Sequence, residues 1–271
     1  MAQFFFPLNY THPLRVASLF AGGFICYFIL AGFCYCYFWR GGAATEARKL
    51  ATHPPYPGQI RKEIACSLLT LFLYGLAAAV IYCAREHNLN LIYDKISKHG
   101  WPYAIFSFFA LLFLHETYFY WTHRALHAPR WWKFHRTHHL SKMASPWAAF
   151  AFHPVEASLE VLFFLLVVEI LPLHRFTLLS FFPVMTFFAV EAHLSYEFHR
   201  AGFSTHPLFR WVTNPTHHFL HHKLAHGNYG GFYFTFWDKV MRTECPQYLP
   251  LFSKVSKAPN ALRLTALGSM P

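Results

Sequence analysis

The feature of this sequence that most constrains its fold is a long stretch without charge. Residues 16–39 are almost entirely apolar or aromatic and contain no Lys, Arg, Asp or Glu. A helix needs about 20 such residues to cross the hydrocarbon core of a bilayer. We therefore predict a membrane-spanning helix here. We expect it to be retained, because its apolar core is longer than that of a cleavable signal peptide.

Further apolar stretches follow at residues 64–84, 102–120, 155–171 and 176–190, and only a short turn at Pro172 separates the last two. Charged residues make up 13% of the chain, whereas soluble domains carry about 25%. So little charge cannot cover a water-facing surface. We predict an all-α, polytopic membrane bundle in which 155–171 and 176–190 form a helical hairpin.

The basic loops indicate the orientation of the bundle. If the spans alternate, the loop with Arg48 and Lys62 and the stretch 123–136 lie on the same side of the membrane. The positive-inside rule makes that side cytoplasmic. A hairpin returns the chain to its starting side, so the segment after residue 190 is expected there too. The host membrane would be the endoplasmic reticulum in a eukaryote or the inner membrane in a bacterium.

The net charge of +11 raises the question of a nucleic-acid partner. Lys and Arg lie mostly at the ends of apolar runs, where they would meet anionic lipid headgroups. The sequence contains no nucleic-acid-binding module, so we expect none. Three regions are predicted: an N-terminal helix with a basic loop (1–58), a membrane-embedded domain (59–250) and a polar C-terminal tail (251–271).

Histidine occurs 20 times, and part of that set is patterned. His123 and His127 form an H-x-x-x-H pair, which shares one face of a helix. Two H-x-x-H-H motifs follow. On a helix the last two histidines of such a motif diverge by about 100°, and the first shares a face with each of them. One motif can therefore supply imidazoles to two neighbouring metal ions. The two motifs comprise His135, His138 and His139, and His218, His221 and His222.

Eight patterned imidazoles exceed what one metal needs, because a structural zinc site takes four ligands. They therefore predict a dinuclear centre. Imidazole alone suits zinc, copper, iron and nickel. The motif H-E-x-x-H of zinc proteases is absent from the sequence. A cap of histidines beside a bilayer suits a di-iron centre, which can oxidise unactivated C–H bonds.

Further motifs accompany the histidines: 59–64 (QIRKEI), 119–124 (FYWTHR), 152–156 (FHPVE), and 228–230 (NYG) through 237–239 (WDK). Together they resemble the fatty acid hydroxylase/sterol desaturase superfamily of membrane di-iron oxygenases. Within it they are most similar to the lathosterol oxidase (C5-sterol desaturase)-like branch. The similarity runs from about residue 59 to residue 243.

The resemblance implies which histidines bind metal. It adds His193, which falls where the family has a histidine after the hairpin. A tenth ligand is left open among His199, His217, His226 and water, and His153 is expected in the site wall or behind a ligand. The implied ligands are His123, His127, His135, His138, His139, His193, His218, His221 and His222.

By the same resemblance, the chain is expected to be an oxidoreductase with two iron ions that uses O₂ to desaturate a sterol-like lipid. Cytochrome b5 or a ferredoxin, with its reductase, would supply electrons. Glu116, Glu156 and Asp238 are candidates either to orient imidazole N–H groups or to form ordinary ion pairs with neighbouring arginines. The alternatives are a fatty-acyl, sphingolipid or ether-lipid hydroxylase on the same scaffold and, more remotely, a histidine-rich metal transporter or a b-type cytochrome.

Overall fold

The computed structural model describes residues 11–40, 46–51 and 53–258. Residues 1–10 of the predicted N-terminal region and 259–271 of the predicted tail lie outside the described residues. Within those ranges the chain forms helices and loops, and β pairing is limited to isolated bridges such as that between Lys49 and Tyr196. The predicted all-α fold is confirmed.

A long helix forms at each of the predicted apolar stretches, and shorter helices lie between and after the long ones. In chain order the α-helices are α1 (Thr11–Cys34), α2 (Gln59–Glu86), α3 (Gly100–Leu126), α4 (Trp132–His139), α5 (Pro154–Ile170), α6 (Arg175–Ala192), α7 (Pro215–Leu224), α8 (Phe236–Val240) and α9 (Tyr248–Ser256). A π-helical turn, Tyr35–Trp39, extends α1.

Four of the described helices are long and apolar enough to cross a membrane: α1 with its π turn, α2, α3 and α6. Their outward faces carry large apolar side chains, and Ile29, Val80 and Phe106 are each more than half exposed. Apolar area on this scale is stable against lipid rather than water. The chain is therefore an integral membrane protein. α5 has 17 residues and spans about 25 Å, slightly less than a bilayer core.

The helices α5 and α6 follow one another as the hairpin prediction requires, but they pack on different neighbours. α5 packs mainly on α2, whereas α6 packs mainly on α1 and α3. A short 3₁₀ segment, Pro146–Phe150, enters between α1, α2 and α6. The carbonyl of Trp147 accepts hydrogen bonds from the Tyr27 hydroxyl (2.7 Å) and from Ser67 Oγ (2.9 Å), which fixes this segment to α1 and α2.

One end of the bundle gathers the ends of several helices. Trp39 Nε1 donates to the carbonyl of Leu194 (2.8 Å), so the end of α1 meets the end of α6. At the start of α2, Gln59 Nε2 donates to the carbonyl of Met143 (2.9 Å), just beyond α4. The histidine motifs lie at this end, which we call the histidine end.

The C-terminal helix α9 belongs to the folded unit. Tyr248 and Phe252 are buried against Leu220 of α7, and the Arg48 guanidinium donates to the carbonyl of Ser256. The boundary that we placed at residue 250 therefore falls inside a helix. Residues 251–256 are helical, although the sequence suggested a polar tail, because apolar side chains at helical spacing face α7.

Candidate metal centre

The nine implied ligands come from four separate parts of the chain and meet at the histidine end. His123 lies in the last turn of α3 and His127 directly follows that helix, while His193 directly follows α6. The other six lie on α4 and α7. All are buried except His127, which is partly exposed.

The ring nitrogens form two groups, in each of which the candidate ligand atoms all lie within 4.8 Å of one another. We call them the five-histidine group and the four-histidine group. The five-histidine group consists of His123, His127, His135, His139 and His221; the four-histidine group consists of His138, His193, His218 and His222.

Each H-x-x-H-H motif contributes to both groups. In α4, His135 and His139 belong to the five-histidine group and His138 belongs to the four-histidine group. This division follows from helix geometry, because positions i and i+4 lie roughly 40° apart and position i+3 lies to the other side of i. α7 has the reverse assignment, with His218 and His222 in the four-histidine group and His221 in the five-histidine group.

The Nδ1 atoms of four of these rings have acceptors that fix the tautomer. His123 Nδ1 donates to the carbonyl of Tyr229 (2.8 Å) and His135 Nδ1 donates to Glu156 Oε1 (2.7 Å). Two others also donate to backbone carbonyls: His221 to Gly227 (2.8 Å) and His193 to Ala189 (2.6 Å). Because a neutral imidazole has one N–H, the Nε2 atom of each of these rings carries a lone pair.

These lone pairs point at one another. The Nε2 atoms of His123 and His135 are 2.9 Å apart, and neither carries a proton when its Nδ1 is the donor. Two such acceptors repel unless a cation lies between them. Nitrogen ligands about 2.1 Å from one ion are themselves roughly 3–4 Å apart. The donor set and its spacing therefore fit one metal ion per group.

Similar spacings recur through both groups. In the five-histidine group, His221 Nε2 lies 3.1 Å from the Nε2 atoms of both His127 and His139. In the four-histidine group, His193 Nε2 lies 3.2 Å from His138 Nε2 and 3.1 Å from His218 Nε2. The rings thus converge through one atom type, as a metal centre requires.

Burial keeps these imidazoles neutral. It lowers the pKa of His127 to about 4 and that of His193 to about 4. The pKa values of His138 and His221 lie well below the ordinary histidine value, first because of burial and then because neighbouring imidazoles oppose a second positive charge. Near pH 7 the rings are deprotonated, which is the form that binds metal.

The three acidic residues singled out in the sequence differ in their contacts. Glu156 orients an imidazole directly, through His135. Glu116 does not touch a candidate ligand; its Oε2 accepts from the backbone N–H of Tyr233 (2.6 Å). Glu116 therefore holds the loop after α7 instead of an imidazole of either group, and its Oε2 also accepts from the N–H of Phe234 (3.3 Å).

Asp238 acts through the backbone instead of through an imidazole N–H. It accepts from the N–H groups of Tyr229 (2.8 Å) and Gly230 (2.7 Å). These bonds hold the turn whose Tyr229 carbonyl receives His123 Nδ1. Burial raises the pKa of Asp238 to about 6. The carbonyl acceptors could not be recognised from the sequence, since every residue carries a carbonyl group.

The remaining histidines singled out from the sequence lie outside both groups. His153 caps the start of α5, where its Nδ1 accepts from the N–H of Val155 (3.1 Å), and its ring contacts Phe134. His199 contacts Glu197 (3.0 Å). His217 is fully buried 3.6 Å from Asp238, and His226 is exposed.

Aromatic side chains surround the imidazoles. Phe119 lies 4.8 Å from His123, Phe152 lies 5.1 Å from His138, and Tyr229 lies 5.2 Å from His127, measured between ring centroids. Such rings exclude water and lower the local dielectric constant, which controls the reactivity of a bound metal.

Comparison with known proteins matches the part of the chain that holds the histidine groups to a protein family. A family model described as fatty acid hydroxylase matches residues 108–243, half of the chain. The chain is 28% identical to lathosterol oxidase of Rattus norvegicus, over 81% of this chain and 70% of that one. It is 27% identical to a Delta(7)-sterol 5(6)-desaturase of Gibberella zeae, over 77% of this chain and 64% of that one. No solved structure matches.

Proposed function

Because the chain belongs to the fatty acid hydroxylase family, we propose that it is a membrane oxidoreductase that uses O₂ and two iron ions to desaturate a sterol. The observation that carries the proposal is the convergence of nine imidazoles into two adjoining groups at one end of a membrane bundle. The sterol is inferred from the relatives, which are named lathosterol oxidase and Delta(7)-sterol 5(6)-desaturase.

When bound, a pair of iron ions would supply the reduction of O₂ and the removal of hydrogen from a lipid carbon. The residues of this chain would hold and shield that pair. Neutral Nε2 atoms would bind, and carbonyls such as those of Tyr229 and Gly227 would fix the ring orientations. Phe119 and Phe152 would exclude water beside the imidazoles.

Electrons would reach the centre from a separate protein. Arg130, Lys133 and Arg136 are exposed on and beside α4, next to the histidines. A basic surface favours the approach of an acidic partner, so cytochrome b5 or a ferredoxin is the proposed donor. Such a donor requires the histidine end to face the cytoplasm, as the positive-inside rule suggests.

Hydroxylation of a fatty-acyl, sphingolipid or ether lipid on the same scaffold is the second candidate. The description of the matching family model, fatty acid hydroxylase, favours it. A metal transporter would place its ligands along a path through the spans, whereas these imidazoles cluster at one end. A b-type cytochrome would need histidines facing each other singly across the bundle.

The experiment that tests the proposal combines iron quantification with lipid profiling. The full-length wild type should contain close to two irons per chain and should add a double bond to a host sterol. His138→Ala should lose product and part of the iron, whereas His226→Ala, which changes an exposed histidine outside both groups, should behave as wild type. A new hydroxyl on an acyl lipid would favour the second candidate. Unchanged products in a folded His138→Ala protein would contradict both.

A further inference from the structure

A cavity of about 550 Å³ lies between α1, α2 and α6, away from the histidines. Its walls are mostly apolar and include Leu71, Phe164 and Leu178. Gly23 also lines it, and a Cβ atom at Gly23 would lie 3.6 Å from the ring of Phe182, which lines the same cavity. Cavities of this order hold a small molecule or a lipid chain.

Aromatic side chains close the inner end of this cavity. Tyr74 and Phe182 line it, and the fully buried Phe150 contacts both, at ring-centroid distances of 5.9 and 6.4 Å. Behind Phe150 lies Phe152, which contacts His138. Two successive rings thus separate the cavity from the four-histidine group. A molecule in the cavity would not touch the candidate metal ligands.

Three arginines line the cavity: Arg15, Arg85 and Arg175. They lie near the start of α1, at the end of α2 and at the start of α6. Since α1 and α6 run toward the histidine end and α2 runs away from it, all three arginines lie at the opposite membrane face. Guanidinium groups beside an apolar cavity, at one end of the membrane-spanning helices, fit a lipid phosphate, because their forked N–H groups match its oxygens.

The charges at this rim do not cancel. Arg85 is paired with Glu86 (2.5 Å) and with Asp94. Arg175 Nε lies 3.7 Å from Asp94, and its side chain is 52% exposed. Arg15 is held by a phenol, because its Nη1 donates to the Tyr82 hydroxyl (2.9 Å). Three guanidinium groups face two carboxylates, and Arg15 and Arg175 keep N–H donors for another acceptor.

We propose that this cavity binds an anionic phospholipid of the leaflet opposite the histidine end. One acyl chain would occupy the apolar cavity, and the phosphate would meet Arg15 and Arg175, whose forked N–H groups match phosphate oxygens. The site is distinct from that of the oxidised lipid, because Phe150 and Phe152 lie between it and the imidazoles.

The test uses the full-length, iron-loaded protein, stripped of lipid in neutral detergent. Phosphatidylglycerol and phosphatidylcholine with identical acyl chains are added separately, and inorganic phosphate is added as a third probe. Thermal stability and bound lipid are measured. We expect phosphatidylglycerol to bind about ten-fold more tightly than phosphatidylcholine and to raise the unfolding temperature, with no effect of inorganic phosphate.

Variants separate the parts of the site. The double variant Arg15→Gln/Arg175→Gln should lose the preference for phosphatidylglycerol. Gly23→Leu places a large side chain beside Phe182 in the cavity and should weaken the binding of both lipids. Arg61→Gln removes an exposed arginine at the histidine end and should keep the preference.

Several results would overturn the proposal. Equal binding of the two lipids to wild type, an undiminished preference in the double variant, or stabilisation by inorganic phosphate alone would each do so. Loss of oxidised product in Gly23→Leu at full iron content would show that the cavity holds the substrate instead. Failure of the proposed oxidation itself would appear separately, as missing iron or missing product in the wild type.

Discussion

Glu156 Oε1 accepts a hydrogen bond from His135 Nδ1 at 2.7 Å, and both side chains are buried. A carboxylate in this position fixes the ring and makes its Nε2 atom a better ligand. We therefore expect Glu156→Gln to lower iron affinity about 10- to 100-fold, measured by titration against a competing chelator. Glu169→Gln, on the exposed face of the same helix, should leave the affinity unchanged. Equal affinities in the two variants would rule out this role for Glu156.

Adjacent residues in α4 should have separable effects. His138 belongs to the four-histidine group and His139 belongs to the five-histidine group. We expect His138→Ala to disturb mainly the iron site of the four-histidine group. His139→Ala should disturb mainly the iron site of the five-histidine group. Mössbauer spectra of the iron-loaded variants would report which of two iron signals changes. Identical spectral changes would contradict the division of the motif between two ions.

The stability of the protein should depend on pH in the mildly acidic range. Burial lowers the pKa of His127 and His193 to about 4, whereas histidine in an unfolded chain titrates near 6.5. Between these values the unfolded chain binds more protons than the folded protein. The free energy of unfolding therefore falls as the pH decreases from about 6.5 to about 4.

The same acidification should release iron, because protons compete for the Nε2 atoms. The measurement is the thermal midpoint and the retained iron at a series of pH values across that window. His127→Ala should show a shallower pH dependence than wild type, since one of the titrating groups is gone. A thermal midpoint that stays constant over this pH window would contradict the presence of buried, neutral histidines in the folded protein.

The turn after α7 leaves no room for a side chain at Gly230. A Cβ atom there would lie 2.8 Å from the carbonyl oxygen of Phe234 and 2.9 Å from Asp238 Oδ2. We expect Gly230→Ala to destabilise the protein by about 1–3 kcal/mol, as overpacking usually does. It should also lower iron content by displacing the Tyr229 carbonyl from His123. Gly22→Ala, which meets nothing within 4 Å, is the control, and both are compared by chemical denaturation and iron analysis.

The helices were predictable because the membrane imposes a length. A lipid-exposed backbone must satisfy its own hydrogen bonds, so an apolar stretch near 20 residues leaves few alternatives to a helix. That argument identified each long helix, with ends that differ from the predicted ones by up to six residues. It did not predict the main neighbours of α5 and α6, because the choice of neighbour depends on the fit between aromatic side chains such as Tyr74 and Phe164 rather than on hydropathy.

The candidate centre was predictable in its residues but not in its arrangement. The spacing of His135, His138 and His139 marks them as a set. Their division between two groups appears only when α4 and α7 are placed against each other. The acceptors for Nδ1 are mostly carbonyls, such as that of Tyr229, and a carbonyl has no side-chain signature. Glu116 and Asp238 were candidates for imidazole orientation or for ion pairs with arginines, and both accept from backbone N–H groups, which have no side-chain signature either.

The interleaving of the two motifs couples the loading of the two metal ions. An ion in either group must order both α4 and α7, because each helix supplies ligands to both groups. The conformational entropy lost on binding the first ion is then not lost again on binding the second. The two ions should accordingly be taken up cooperatively, with little singly occupied protein at intermediate iron concentrations.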